Sequence, residues 1–311
     1  MLAQRLGVSR ATISHVLRDS ATLGITLYKI PGRGYQLPAP PDWLDASHIR
    51  QHLHDTAHDI TLDIVDSIDS TNAALLREHA SIAHRHCLAA EFQSAGRGRR
   101  GRDWLAAPGG GITCSLGWRF EQGINALTGL SLAIGVAVLR ALQQCGYTGL
   151  QLKWPNDLLW QQRKLCGILV EVQGESDGTT LAIIGIGINV HLPAMARKHI
   201  AQAVTDLQEI SGNTPNRNVL LATLLNTLVE TIILFEQQGL ATLQHEWNTA
   251  DAYAGQVIQV TLANGNTLTG VANGINEQGA LLLQTAQGKL LSLHSGEITQ
   301  ARPSHHETTH P

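Results

Sequence analysis

The sequence predicts an α+β protein whose central domain is a mixed sheet covered by helices, followed by a small antiparallel barrel. From residue 60 onward, apolar runs of strand length are interspersed with helical patterns. After Gly255, short apolar runs are separated by turn signals instead. At 311 residues and 43% hydrophobic composition, the chain can bury two or three domains. We expect domains at residues 1–41, 42–252 and 253–303, and a tail at 304–311.

The first 37 residues predict a partial winged helix-turn-helix. A short helix at residues 2–6 is followed by the capping residue Ser9 and a helix to about Asp19; the segments 25–30 and 35–37 then form a hairpin. One side of the second helix carries an apolar stripe of Ile13, Val16 and Leu17. The side that a DNA groove would meet carries Arg10, Thr12, Ser14 and Arg18. The alternative is a small helical cap without a DNA role.

Charge is segregated along the chain. Residues 1–37 hold five Lys or Arg and one Asp, a net charge of +4. The whole chain has a formal net charge of −3, so the residues after 37 together carry −7. Only the amino-terminal module therefore has the charge of a polyanion-binding unit. The chain begins inside its pattern, without the helix that normally packs across the first one. We expect either a weakened DNA-binding fold or a start upstream of Met1.

Composition argues against a membrane protein. The longest apolar stretch, residues 127–142, is broken by Arg140 and falls short of the ~20 residues that span a bilayer, so it predicts a buried helix. No secretion signal precedes the first domain. The cysteines show no paired spacing: Cys87, Cys114, Cys145 and Cys166. We expect reduced thiols, a cytoplasmic protein and no membrane partner.

The central domain is predicted from apolar runs bounded by turn residues. Its helices follow Ser70 and Asn125 and cover 219–237 and 239–248. Its strands cover 60–65, 86–92, 112–119, 150–154, 165–173 and 179–188. The barrel is predicted from the turn signals Asn264-Gly265, Asn273-Gly274, Gln278-Gly279 and Gln287-Gly288.

The segment Gly96–Arg102, here called the arginine loop, predicts an anion-binding site. Its glycines let the backbone approach a ligand closely, and guanidinium groups pair with phosphate or carboxylate oxygens. These groups belong to Arg97, Arg99, Arg100 and Arg102. The glycine spacing also matches a dinucleotide-binding fingerprint, but Trp104 and Pro108 follow where that motif requires a helix. A basic stretch used only for solubility or nucleic acid is the second alternative.

The segment Lys153–Asp157 (KWPND) is placed where a strand leaves the sheet. Its ammonium group suits phosphate oxygens, and Asn156 and Asp157 offer oxygens to Mg²⁺ or its waters; a plain turn is the alternative. Farther along, Lys164 precedes a strand that contains Gly167, and a second strand contains Gly185 and Gly187. Glycine inside a strand often marks close approach of a ligand, so the two strands predict a narrow apolar slot.

The order of five motifs resembles that of the biotin protein ligases, and the amino end resembles the bacterial type that doubles as biotin operon repressor. The likeness covers essentially the whole chain. Its motifs are Asp69–Asn72 (DSTN), the arginine loop, Lys153–Asp157, Lys164–Glu171 (KLCGILVE) and Gly185–Asn189 (GIGIN). The resemblance implies a catalytic domain akin to class II aminoacyl-tRNA synthetases. It also implies activation of biotin by ATP and transfer to one lysine of the biotin carboxyl carrier protein of acetyl-CoA carboxylase.

The resemblance assigns roles to residues. Arg97, Arg99, Lys153 and Lys164 are the expected catalytic residues. The expected biotin contacts are Ser70, Thr71, Asn72, Gln93, Arg97, Gly98, Arg99, Lys164, Gly167, Leu169, Gly185 and Gly187. The expected nucleotide contacts are Arg99, Arg100, Arg102, Trp104, Lys153, Asn156, Asp157 and Asn189, with Mg²⁺ at Asn156 and Asp157. Cys166 is assigned to packing, because nothing pairs it with a histidine.

Further partners follow from the same resemblance. Repressor members form homodimers through their catalytic sheets and bind operator DNA when the adenylate is present. A repressor without ligase activity and a lipoate ligase of related fold are the competing interpretations. The arginine loop and the KWPND segment disfavour the lipoate ligase.

Overall fold

The computed structural model describes residues 2–20, 25, 27–37, 42–78, 83–174 and 178–302. The predicted linker at 38–41 and tail at 304–311 lie outside these residues. The α-helices are Leu2–Leu6, Arg10–Asp19, Ala46–Arg50, Thr71–Arg77, Leu130–Gln144, Ala194–Lys198, Leu207–Ser211, Arg217–Gln238 and Ala241–Thr249. The strands of the amino-terminal hairpin and the central sheet are β1 Tyr28–Ile30, β2 Gly34–Gln36, β3 Thr61–Val65, β4 His86–Ala90, β5 Gly111–Phe120, β6 Leu150–Lys153, β7 Asp157–Trp160, β8 Arg163–Gly174 and β9 Thr180–Asn189. The carboxyl-terminal strands are β10 Val257–Thr261, β11 Thr267–Ile275, β12 Leu281–Gln284, β13 Leu290–Leu293 and β14 Glu297–Arg302.

Two helices and the β1–β2 hairpin form the amino-terminal module. Ser9 Oγ accepts a hydrogen bond from the Thr12 N–H at 3.0 Å and caps the second helix as predicted. The residues assigned to DNA are all exposed: Arg10, Thr12, Ser14 and Arg18. The apolar stripe is narrower than predicted, because Val16 is 58% exposed.

The central sheet has seven strands in the order β3-β4-β5-β9-β8-β7-β6. The pair β3–β4 is parallel and the other pairs are antiparallel, so the predicted mixed sheet is confirmed. Strand β9 is buried at every position and lies between β5 and β8. Its Gly185 and Gly187 therefore face the interior of the fold.

The prediction that the chain leaves the sheet at the KWPND segment is wrong. Lys153 and Asp157 are directly opposite each other in the β6–β7 pair, so the chain reverses in a tight turn and forms a strand that sequence analysis missed. The turn is closed by a hydrogen bond from the Asn156 N–H to the Lys153 carbonyl at 3.1 Å. The functional segment is therefore the tip of a hairpin.

Helices Leu130–Gln144 and Arg217–Gln238 form much of the core. Together with the 3₁₀ turn before it, the first forms a helical stretch Ile124–Gln144, and this stretch and Arg217–Gln238 are long and apolar enough to cross a membrane. Buried core helices of other proteins have the same length and composition. Most of each apolar window is buried inside the fold, 61% and 72% respectively. The predicted buried helix at residues 127–142 is thus confirmed.

The carboxyl-terminal strands form a five-stranded antiparallel sheet in the order β13-β12-β11-β10-β14. The predicted barrel is not closed by hydrogen bonds between β13 and β14 in the described part of the chain. The predicted turn at Asn273-Gly274 is a bulge within β11. Gly274 has φ +73°, and a Cβ there would lie 2.4 Å from Asn248 Oδ1, which accepts a hydrogen bond from the Ile275 N–H.

A buried carboxyl group marks the junction between the two sheets. Asp251 forms a parallel bridge with Leu152 of β6, and its Oδ1 accepts a hydrogen bond from the Tyr253 N–H at 3.0 Å. Its Oδ2 has no hydrogen-bond partner among the described residues. Burial raises the pKa of Asp251 to about 6 from 3.8, because the charged form is poorly solvated there.

Replacing this group by an uncharged analogue is expected to change the pH dependence of stability. Because the pKa of Asp251 is higher in the folded chain than in the unfolded chain, its neutral carboxyl group contributes its full stabilisation below pH 3.8. This contribution is lost as the pH rises through about 6. From pH 4 to pH 7, the unfolding free energy of Asp251→Asn should therefore gain about 2 kcal/mol relative to the parent chain. Urea unfolding across this range measures the gain. Parallel pH profiles for the two chains would contradict the assignment.

Candidate active site

A cavity of about 90 Å³ lies between the central sheet, the arginine loop and the start of helix Thr71–Arg77. All twelve residues that sequence analysis assigned to biotin line it: Ser70, Thr71, Asn72, Gln93, Arg97, Gly98, Arg99, Lys164, Gly167, Leu169, Gly185 and Gly187. Trp104, Arg102 and Asn156 also line it. The structure thus brings residues of all five motifs to one cavity. The KWPND segment contributes Asn156 alone.

Polar side chains form a connected cluster at one end of the cavity. The Thr71 hydroxyl and N–H both donate to Gln93 Oε1, at 3.1 and 2.8 Å. Ser115 Oγ lies 2.7 Å from Thr71 Oγ1 and 2.5 Å from Asn72 Oδ1. Ser70 Oγ caps the helix by accepting from the Ala73 N–H at 3.4 Å. The cluster can exchange these bonds for bonds to a small ligand that carries both N–H and C=O groups.

Two side chains of the protein fill the space beside Gly185 and Gly187 of β9. A Cβ at Gly185 would lie 2.2 Å from Asn72 Oδ1, and one at Gly187 would lie 2.2 Å from Trp104 Cε2. Trp104 also covers Gly167, where a Cβ would lie 3.1 Å from Cζ3. The indole therefore occupies the slot that was predicted for an apolar ligand chain. Its Nε1 is buried and has no hydrogen-bond partner among the described residues.

The substitution Gly187→Ala is expected to expel Trp104 from the slot. A methyl group cannot be placed 2.2 Å from the aromatic ring, and the backbone of central strand β9 cannot move away. We expect a red shift of tryptophan fluorescence and about a tenfold loss of biotin affinity, measured by calorimetry. In the control Gly265→Ala, the new Cβ meets nothing within 4 Å, and Gly265 does not line the cavity. Alanine is strained there at φ +85°, so the control should lower stability but leave biotin affinity unchanged.

The arginine loop is a compact turn rather than the start of an α-helix. The Gly98 N–H donates to the Arg102 carbonyl at 2.6 Å, and a 3₁₀ turn covers Arg99–Gly101. Arg100 has φ +57°, a left-handed conformation that non-glycine residues rarely adopt and that occurs often at functional sites. The dinucleotide-binding interpretation lacks its helix and is wrong.

Two guanidinium groups of the loop contact the walls of the cavity. Arg97 Nη2 lies 3.6 Å from Glu171 Oε2, and Arg99 Nη1 donates to Asn156 Oδ1 at 3.3 Å. Burial is the main cause that lowers the pKa of Arg99, and the neighbouring Arg100 charge contributes as well. An anion in the cavity would relieve both effects.

Lys164 faces the cavity from a distorted strand. Its partner in β7 is Leu159, whereas Leu158 pairs with Cys166, so Leu165 forms a bulge that turns the lysine side chain. The Nζ lies 2.9 Å from Asp157 Oδ1, an ion pair whose alignment is too poor for a hydrogen bond. The backbone of Lys164 is also fixed, since its N–H donates to the Ala203 carbonyl at 2.9 Å. This lysine is well placed to hold an anionic group without moving.

A smaller cavity adjoins the first and has a basic lining. It is lined by Arg99, Arg100, Arg102, Lys153, Trp154, Pro155, Asn156, Asp157, Gly296 and Glu297. Burial is the largest influence on Lys153 and lowers its pKa, although Asp157 acts in the opposite direction. Four cationic side chains around one small space favour a polyanion such as a phosphate chain.

The predicted magnesium site at Asn156 and Asp157 does not fit as a resident metal centre. Asn156 Nδ2 donates to the Ile168 carbonyl at 2.6 Å, and its Oδ1 is used by Arg99. Asp157 is paired with Lys164. Among the residues that the structure describes, no group of three His, Cys, Asp or Glu side chains could hold a metal ion.

Of two other sequence assignments, that of Asn189 takes a different place in the structure and that of Cys166 agrees with it. Asn189 is 3% exposed and is absent from the cavity lining; its Nδ2 donates to the Thr205 carbonyl at 3.0 Å. Asn189 thus packs behind the segment that holds Lys164. Cys166 is fully buried, and burial raises the pKa of its thiol, which agrees with a packing role. All four cysteines are unpaired.

Sequence analysis missed Ser115 and Glu171 as site residues. Ser115 lies in the middle of β5 and reaches the cluster because β5 pairs with β9. Glu171 accepts from Asn72 Nδ2 at 2.8 Å and pairs with Arg97. Glu171 ends the fourth motif, and an acidic residue in a largely apolar strand was the available signal. Ser115 had no signal in the sequence, because a serine in a buried strand resembles a packing residue.

Comparison with known proteins places these features in a family. Residues 64–189 match the Biotin/lipoate A/B protein ligase family, and residues 253–299 match the Biotin protein ligase C terminal domain. The bifunctional ligase/repressor BirA of Salmonella typhimurium is 38% identical over 96% of this chain and 91% of its own length. The biotin–[acetyl-CoA-carboxylase] ligase of Mycobacterium tuberculosis is 34% identical over 78% of this chain and 89% of its own length.

A solved structure has the same fold. The biotin protein ligase of Aquifex aeolicus, in complex with biotin and ATP, superposes with a TM-score of 0.66 at 29% identity. The match covers 78% of this chain and 99% of the Aquifex chain. Because the relatives at 34% and 38% identity cover most of the sequence and both family models match, the chain belongs to the biotin protein ligase family.

Proposed function

We propose that the chain is a biotin–protein ligase that converts biotin and ATP to biotinyl-5′-AMP and then transfers biotin to a lysine of the biotin carboxyl carrier protein of acetyl-CoA carboxylase. The observation that carries the proposal is the joining of a polar cluster, an apolar wall that includes Trp104 and Leu169, and a cationic wall in one cavity. These three parts match the ureido group, the aliphatic chain and the carboxylate of biotin. The names of the relatives support the same activity.

The first half-reaction needs two anions to approach each other. A carboxylate oxygen of biotin attacks the α-phosphorus of ATP, the bond to the bridging oxygen breaks, and pyrophosphate leaves. Lys164 holds the carboxylate end, while Arg97 and Arg99 cover the reacting groups from the arginine loop. Lys153 and the adjoining basic cavity hold the departing phosphates. Fixed cations around this charge lower the barrier, because no solvent has to reorganise.

The second half-reaction needs the adenylate to survive until the acceptor arrives. The amine of the acceptor lysine attacks the acyl carbon, an amide bond forms, and AMP leaves with the electron pair of the broken acyl–phosphate bond. A mixed anhydride hydrolyses in water, so the arginine loop must exclude solvent. Magnesium enters with the nucleotide rather than with the protein, and none of these residues requires it as a resident cofactor.

Incubation of the full chain with biotin, ATP, Mg²⁺ and apo carrier protein tests this proposal. Mass spectrometry should locate biotin on one lysine of the carrier, and a carrier with that lysine replaced by arginine should remain unlabelled. Lipoate in place of biotin should give no product. A folded chain that labels no lysine, or that prefers lipoate, would refute the proposal.

We further propose that the amino-terminal module binds operator DNA; the Salmonella relative is named a bifunctional ligase/repressor. The supporting observation is the capped helix Arg10–Asp19 with Arg10, Ser14 and Arg18 exposed. Filter retention of operator DNA should rise when biotin and ATP are added, and Arg10→Ala should reduce it. Retention that stays at background with both substrates would exclude this role.

The remaining assignments are proposals of the same kind. Residues 1–41 form a winged helix-turn-helix and linker, 42–252 a catalytic domain akin to class II aminoacyl-tRNA synthetases, 253–303 a small barrel and 304–311 a tail. Homodimers form through the catalytic sheet, and the protein acts in the cytoplasm. Sedimentation with and without biotin and ATP tests the dimer.

A further inference from the structure

The arginine loop is joined to the carboxyl-terminal sheet through Glu297. Arg102 Nη1 donates to Glu297 Oε1 at 2.7 Å, and Arg100 Nη1 donates to Glu297 Oε2 at 3.3 Å. Each carboxylate oxygen therefore receives one guanidinium group. Glu297 is the first residue of β14 and stands opposite Thr261 of β10, so the carboxylate is carried by a paired strand.

This contact divides the four guanidinium groups of the loop into two pairs. Arg97 and Arg99 contact Glu171 and Asn156 at the wall of the main cavity. Arg100 and Arg102 contact Glu297 of the other sheet. The arginine loop is therefore held on one side by Glu171 and Asn156 and on the other side by Glu297.

The charge balance of the smaller cavity explains why the contact matters. Four cations line this cavity together with two carboxylates, and one of these, Asp157, lies 2.9 Å from Lys164. Glu297 is the other carboxylate of the lining. The sequence of the arginine loop places four positive side chains close together, so an anionic ligand would be expected to offset their mutual repulsion. In the structure the protein supplies that anion itself, at a position 26% exposed to solvent.

We propose that Glu297 is a positioning residue for the ligase reaction. It anchors the arginine loop through Arg100 and Arg102, so that Arg97 and Arg99 stay at the main cavity and the adenylate stays enclosed. The inference rests on the proposed function and extends it, because it gives the carboxyl-terminal sheet a part in retaining the intermediate. Glu297 lines the smaller cavity, where its carboxylate pairs with Arg100 and Arg102 rather than with phosphate oxygens.

Limited proteolysis of the ligand-free full chain tests the anchor directly. Trypsin cleaves after arginine, so cleavage within the loop reports how often the loop leaves its docked position. Glu297→Gln removes the charge at constant shape and should accelerate this cleavage about fivefold, as expected for the loss of two partly exposed ion pairs. Glu277→Gln, an exposed position in a turn of the same sheet, is the matched control and should leave the rate unchanged.

Charge exchange separates an ion pair from a general structural effect. With cleavage scored only after Arg97 and Arg99, which every variant keeps, Glu297→Arg alone should accelerate cleavage further, and combination with Arg102→Glu should restore most of the protection. Equal cleavage rates for the parent chain and Glu297→Gln, or no recovery in the exchanged pair, would overturn the anchor. Thermal unfolding identifies a variant that fails to fold, and this experiment needs neither biotin nor ATP.

A kinetic measurement tests the consequence for the reaction. For Glu297→Gln, the amount of biotinyl-5′-AMP that escapes per pyrophosphate released in the first turnover, measured by trapping with hydroxylamine, should rise about fivefold. Loss of protection with unchanged escape would overturn the positioning role. If the parent chain forms no adenylate at all, the proposed function fails while the proteolysis result stands.

Discussion

Replacing Lys164 by alanine is expected to slow adenylate formation about a thousandfold while biotin affinity falls less than about tenfold. The Lys164 side chain is 14% exposed and is fixed at both its backbone and its Nζ, so its charge is already in place before the reaction. A charge fixed in a poorly solvated site acts mainly on the anionic transition state. Single-turnover pyrophosphate release and calorimetry with biotin alone measure the two quantities separately.

The control must account for Asp157, which loses its partner when the lysine is removed. A carboxylate that is 13% exposed and unpaired can destabilise the fold by about 3 kcal/mol or more. Lys164→Arg keeps this pair, and urea unfolding of both variants shows how much of the effect arises from stability. Equal losses in adenylate formation and biotin affinity would make Lys164 a binding residue only.

The substitution Arg99→Gly is expected to release biotinyl-5′-AMP roughly ten to a hundred times faster, so that nearby lysines on unrelated proteins become labelled. Arg99 lines both the main cavity and the basic cavity, and it ties the arginine loop to Asn156. Glycine removes that contact and also makes the turn more flexible. Adenylate formation should fall much less, because Lys164 and Lys153 remain.

Labelling of a bystander protein such as serum albumin measures this escape. Arg119→Gly provides the control, since Arg119 is an exposed arginine that pairs with Glu121 away from the cavity. If Arg99→Gly labels only the carrier lysine, the arginine loop does not retain the intermediate.

Much of the fold could be predicted because its signals are local. The buried runs at residues 112–119 and 179–188 have the length and composition of central strands, and the capping residue Ser70 predicts the helix that follows it. The mixed sheet was predicted from the way strands and helices intersperse. Strand β7 was missed because Pro155 suggested an exit from the sheet, whereas the chain makes a hairpin there.

The sequence predicted which motifs form the site, but not how their side chains are arranged relative to one another. The resemblance carried by the five motifs identified most of the residues that line the cavity, including Gln93 and Trp104 outside the motifs. The bulge at Leu165, the position of Ser115 and the packing of Asn72 against Gly185 depend on which strands are neighbours. The same holds for Glu297, which meets the arginine loop from about 195 positions later in the chain. Such contacts leave no pattern in a single sequence.

The indole of Trp104 over Gly167 and Gly187 has a thermodynamic consequence. Because the free enzyme already keeps water out of this slot, a ligand that enters exchanges one apolar neighbour for another. Less apolar surface is then dehydrated than the size of the ligand suggests, so the heat-capacity change of biotin association is expected to be small. The enthalpy of biotin association would then vary little with temperature.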